Sequence, residues 1–132
     1  MIILDTGAVS ALAAGHKTLA LLAGNMAHTP EDRLVIPALC LMQAEADEAG
    51  TAHRVLTLSS VSVDDLGALA GVAVGSMIRD GFGGPDTCHA LHCALPRPEF
   101  TGMSILLTTR EDAYPPGIIT VDIDSPGMLG HW

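Results

Sequence analysis

The sequence predicts a three-layer α/β/α sandwich around a central, mainly parallel sheet. Short apolar runs at 2–4, 34–36 and 105–107 alternate with helical stretches along the chain, the order that builds a parallel sheet covered on both faces. Within each run the residues are apolar at successive positions, as strands buried on both sides require. The chain of 132 residues is 48% hydrophobic and 16% charged, which suffices for one core and excludes a disordered tail. A single domain over 1–132 follows.

Ile2-Ile3-Leu4 is the first strand, and after Asp5-Thr6-Gly7 a helix runs from Ala8 to Ala14. A second helix covers His16 to Ala27, and Thr29 to Asp32 form a loop. Leu34-Val35-Ile36 is the second strand. Pro37 stops it and suits a first helical turn. The next helix runs from Ala38 to Ala49, with Gly50 as its C-cap. Residues 55–63, with Val55, Thr57, Val61 and Val63 among them, read as the third strand. Asp64 and Asp65 open a helix to Arg79, where their charge favours an N-terminus. A glycine loop, Gly81 to Pro85, leads to a helix starting at Asp86 and ending at Ala94. Leu95 to Gly102 form a loop. Ser104 to Leu107 is the fourth strand. Tyr114 to Gly117 turn the chain into a fifth strand at 118–123, and an irregular tail follows from Asp124.

Six Lys and Arg stand against fifteen Asp and Glu, a formal charge of −9. No basic nucleic-acid footprint exists at the level of the whole chain. A nuclease is still allowed, because clustered carboxylates that hold divalent cations make the site itself acidic. Cys40, Cys88 and Cys93 are an odd number, which speaks against a disulfide framework and for a reducing compartment. No signal peptide or membrane span is read, so a soluble cytoplasmic protein is expected.

Ligands of open α/β sheets bind beyond the carboxyl ends of the strands. Asp5 lies there after strand one, Glu111 and Asp112 lie just past strand four, and Asp86 opens a helix. Together these carboxylates would hold Mg²⁺ or Mn²⁺, which prefer oxygen ligands. Each also has an ordinary role: Asp5 or Asp86 as a helix cap, Glu111 and Asp112 as solvated turn residues.

Ile3-Leu4-Asp5-Thr6, Val35-Ile36-Pro37-Ala38, Pro85-Asp86, and Leu106 to Glu111 with Tyr114 beyond it, in that order, resemble the four sequence blocks of the PIN-domain family. The resemblance covers about 120 residues. It implies Mg²⁺- or Mn²⁺-dependent cleavage of RNA by an acidic cluster. Small members include the ribonuclease toxins of toxin–antitoxin pairs, so an antitoxin partner and a homodimer are expected with it. Asp5, Asp86 and Glu111 become the metal and catalytic candidates. Gln43 would position water or the scissile phosphate, and Thr6, Thr109 and Arg110 are the substrate-binding candidates. The chain departs from the family at Gln43, where the second acid is usually Glu, and the fourth acid falls on Arg110 or Glu111 depending on which threonine ends strand four. Asp47 lies about 40° from Gln43 and one turn onward, the only nearby substitute in angle. An Arg110 inserted among the acids would instead make a metal-free network, and the chain would then be a binding or regulatory module.

Two further patterns stand apart. Cys88/His92 and His89/Cys93 are helical i, i+4 pairs. Such ligands bind zinc, but they point about 100° apart, so the alternative of small core cysteines and partly exposed histidines stays open. Gly67, Gly71 and Gly75 recur every four residues, a pattern that close helix packing would explain and that also suits a dimer face. No P-loop, dinucleotide fingerprint or nucleophile elbow is present.

Overall fold

The apolar runs pair into a five-stranded sheet in which every pairing is parallel. The computed structural model describes residues 1–28, 33–96 and 102–129. The strands are β1 (Ile2–Leu4), β2 (Leu34–Pro37), β3 (Val61–Asp64), β4 (Ile105–Thr108) and β5 (Ile119–Asp122), in the order β3-β2-β1-β4-β5. The helices are α1 (Thr6–Ala13), α2 (Lys17–Met26), α3 (Ala38–Asp47), α4 (Thr51–Leu56), α5 (Ala68–Arg79) and α6 (Pro85–Ala94). The architecture is the expected α/β/α sandwich, and its sheet is wholly parallel.

Ile3, Leu4, Leu34, Ile36, Leu106 and Leu107 are fully buried, because the middle strands are covered on both faces. From β1 the chain moves to β2 and β3, then crosses back to β4 on the other side of β1. Right-handed crossovers therefore put α5 and α6 across the sheet from α1, α2 and α4. Helix α3 packs against α1, α4 and α6. The reversal between β1 and β4 opens a crevice at their carboxyl ends.

Several boundaries differ from the sequence expectation, each for a physical reason. The strand expected over 55–63 is helix α4 followed by the shorter β3. Gly50 adopts a left-handed φ of 93°, which turns the chain sharply after α3. The Glu45 carboxylate then accepts the N–H groups of Gly50 and Ala52, both at 2.9 Å, and so fastens the start of α4. Val55 is fully buried on that helix, so its branched side chain serves the core from a helix instead of a strand. Asp64 does not open α5. It pairs with Pro37 as the last residue of β3, and the helix starts at Ala68 behind Gly67. Helix α1 starts two residues early, at Thr6. Short 3₁₀ turns form at Glu111–Ala113 and Pro126–Leu129. Close packing does not explain Gly67, Gly71 and Gly75, since a Cβ at any of them would meet nothing within 4 Å. The loop expected at 29–32, and residues 97–101 of the loop before β4, lie outside the described residues.

Candidate functional site

Asp5 leaves the buried end of β1 and caps α1, with Oδ1 accepting the Ala8 N–H at 3.1 Å. Its other oxygen, Oδ2, accepts from the Thr108 hydroxyl and from the Tyr114 hydroxyl, the latter at 2.8 Å. The parallel register Leu4↔Leu107 brings Thr108 beside Asp5. Asp5, which is only 5% exposed, thus caps α1 with one oxygen and meets β4 and Tyr114 with the other. Burial first, and then the Asp5 charge and hydrogen bond, push the Tyr114 hydroxyl far above its ordinary pKa. Tyr114 is therefore a fixed donor.

Asp86 is the second residue of α6, behind Gly84 and Pro85, where the helix dipole favours a carboxylate. The Thr6 hydroxyl donates to its Oδ2 at 2.6 Å. Among the described residues its Oδ1 takes no hydrogen bond. Gln43 and Asp47 lie one turn apart on α3, and the Gln43 amide donates to Asp47 Oδ1 at 2.8 Å. Arg110 follows β4. Its backbone N–H donates to the Thr108 hydroxyl at 2.9 Å, and its guanidinium reaches Thr87 Oγ1 at 3.4 Å.

These groups line one cleft of about 260 Å³: Asp5, Thr6, Gly7, Gln43, Asp47, Asp86, Thr87, Thr109, Arg110 and Tyr114. Gly7 lets α1 start close to Thr109, because a Cβ there would collide with that side chain. The expected residues Asp5, Gln43, Asp86, Thr6, Thr109 and Arg110 therefore meet. Arg110 does not lock the carboxylates together, since among the described residues it forms no ion pair. Glu111 does not join them. It sits in a 3₁₀ turn, is exposed, and its Oε1 accepts the Asp122 N–H at 2.7 Å. Its expected place among the cleft's acids is corrected on that ground. Asp47 lines the cleft, and Glu111 does not. The Thr108 and Tyr114 hydroxyls on Asp5 escaped sequence reading; the one signal for Thr108 was a polar residue closing an apolar run.

Behind the cleft, the Cys40 thiol donates to the Asp86 carbonyl at 3.2 Å. Burial, reinforced by the charges of Asp5 and Asp86, raises its pKa to about 12. The Cys88 thiol points to the Gly83 carbonyl, and burial, then Asp86, also raises its pKa. The two i, i+4 pairs on α6 do not close on one ion. His89 and Cys93 instead meet Asp64, their ligand atoms all within 4.8 Å of one another. Cys93 Sγ donates to Asp64 Oδ2 at 2.8 Å, and His89 Nε2 lies 3.8 Å from the same oxygen. The Leu39 N–H donates to His89 Nδ1 at 3.2 Å. Since a backbone N–H only donates, Nδ1 carries the lone pair and the neutral ring keeps its proton on Nε2. The nitrogen facing Asp64 and Cys93 is thus a donor. Cys93 is hydrogen-bonded to Asp64 with His89 beside the pair, and the tautomer of the ring is set against metal ligation through Nε2.

A scan against protein-family models found no match, and neither did a search of curated proteins.

Proposed function

We propose that the chain is a divalent-metal-dependent endoribonuclease of the PIN type. The observation that carries the reading is the meeting of Asp5, Asp47 and Asp86, from three distant segments, in one cleft with Arg110. The cleft lies at the switch point of a parallel sheet, where this class of fold binds ligands.

The donor set fits Mg²⁺ or Mn²⁺, since it is all oxygen and reachable from solvent at Asp47 and Asp86. Asp5, Asp47 and Asp86 are the residues that would hold the ion. When bound, such a cation polarises a phosphate oxygen and lowers the pKa of water. The chain's own groups do the positioning. Thr6 orients Asp86, Gln43 orients Asp47, and Thr108 and Tyr114 immobilise Asp5. Arg110 offers a guanidinium to the phosphodiester and offsets part of the acidic field. Thr109, exposed in the same lining, would donate to the ribose–phosphate backbone. Gln43 is committed to Asp47, so it acts on the ion's site rather than directly on substrate.

An antitoxin partner, a homodimer and a cytoplasmic setting belong to the same proposal. In its support, no helix among the described residues is long and apolar enough to cross a membrane. The three cysteines are buried, and no disulfide forms among the described residues.

A second reading, a binding or regulatory module without catalysis, is favoured by one observation. Asp5 already accepts three hydrogen bonds, which leaves little of it for a cation. Mn²⁺ calorimetry followed by cleavage of a mixed RNA pool separates the two. The nuclease reading expects saturable heat and metal-dependent cleavage, both lost in Asp86→Asn. Neither signal from the wild-type chain leaves the module.

A further inference from the structure

We infer that His89 is a positioning residue for the acidic cleft: its imidazole holds in register the two helices that carry Asp47 and Asp86. The inference rests on the proposed cation site and adds a residue that does not touch the cleft.

Helix α3 begins with a deficit. Its first N–H groups have no partner within the helix, and its N-cap is Pro37, which has no side-chain acceptor. The Leu39 N–H, in that first turn, is satisfied from another helix by His89 Nδ1 at 3.2 Å. His89 is fully buried and lies three residues after Asp86 on α6. Leu39 lies one turn before Gln43, which in turn holds Asp47 at 2.8 Å. One imidazole thus connects the frame of Asp86 to the frame of Asp47. Cys40 adds a second link between the same two turns, its thiol donating to the Asp86 carbonyl at 3.2 Å. A slip of one residue along a helix axis is about 1.5 Å, enough to spoil a shared cation site. The other side of the ring faces Asp64 and Cys93, with Nε2 3.8 Å from Asp64 Oδ2.

Which ring nitrogen matters can be tested by amide mimicry. An Asn side chain can present an acceptor near the place of Nδ1, while Gln places its polar end near Nε2. The full chain is compared as wild type, His89→Asn and His89→Gln. Amide hydrogen exchange at Leu39 is read by NMR, and Mn²⁺ affinity by calorimetry. His89→Asn is expected to keep the Leu39 amide protected and Mn²⁺ affinity within about threefold. His89→Gln is expected to expose that amide and weaken Mn²⁺ by about tenfold or more, as loss of an outer positioning group does. Binding and positioning are linked, so saturating Mg²⁺ also slows Leu39 exchange in the wild-type chain. That measurement needs no variant to fold. Equal Mn²⁺ affinity in both variants, or Leu39 exchange indifferent to bound Mg²⁺, overturns the inference and leaves the cation site standing. No cation binding by the wild-type chain overturns the cation site itself, and the inference with it.

Discussion

Replacing Thr108 with Val tests the anchoring of Asp5 without leaving a hole, because the two side chains have nearly the same shape. Thr108 is fully buried, donates to Asp5 Oδ2 and accepts from the Arg110 N–H. A hydrogen bond to a charged group is worth about 1.5–3 kcal/mol. The bond from Arg110 is only partly buried and water can replace it, so it adds about 0.5–1 kcal/mol. The expected loss is about 2–4 kcal/mol. For a chain of this size that lowers Tm by roughly 6–15 °C. Urea unfolding of the wild type, Thr108→Val, Asp5→Asn and the double variant gives the coupling directly. In the Asp5→Asn background the Thr108→Val cost should fall by about 1 kcal/mol or more, since the strongest acceptor has lost its charge. An unchanged cost in that background would refute the argument that the hydroxyl serves the Asp5 carboxylate.

Gln43→Glu restores an acid beside Asp47 and should tighten Mn²⁺ binding several-fold by calorimetry, while costing less than about 1 kcal/mol without cation, since Asp47 is exposed; weaker binding would contradict the placement of Gln43 at the ion's site. The Gly50 and Ala52 N–H groups hold the pKa of Glu45 below its ordinary value. Its stabilising effect is therefore complete above the unfolded pKa, near about 4.3, and is lost as pH falls through the folded value. Glu45→Gln should flatten the acid limb of Tm against pH below about 4.3, and an unchanged limb counts against this cap. Cys40 and Cys88 are buried with raised pKa values, so an aromatic disulfide reagent at pH 8 should leave both unlabelled in the native chain and label them in urea. Rapid native labelling of either would contradict that burial.

The sheet was legible because its middle strands are short apolar runs with nothing polar inside them. Leu34-Val35-Ile36 and Ile105-Leu106-Leu107 need both faces covered, and the alternation with helices allows little else. Residues 55–60 read as strand because Val55 and Thr57 favour strands locally, whereas the helix that ends there is set by Glu45 reaching forward to Gly50 and Ala52. A side-chain cap from the preceding helix is not visible in local propensity. The site divides the same way. Asp5 and Asp86 were marked by position alone, one after a buried strand and one at a helix start. Asp47 followed from helical geometry, about 40° around from Gln43. Glu111 could not be placed from sequence: whether it turns toward the cleft or toward Asp122 depends on the 3₁₀ turn after β4 and on the pairing Thr108↔Asp122.

Titration of Mn²⁺ into the wild-type chain and into Asp86→Asn tests the central claim most directly. The account predicts saturable heat for the wild type and an affinity lowered at least about tenfold in the variant, since one of three carboxylates is neutralised. Equal heats from the two proteins would place any cation elsewhere, and no heat from either would remove the metal-dependent nuclease.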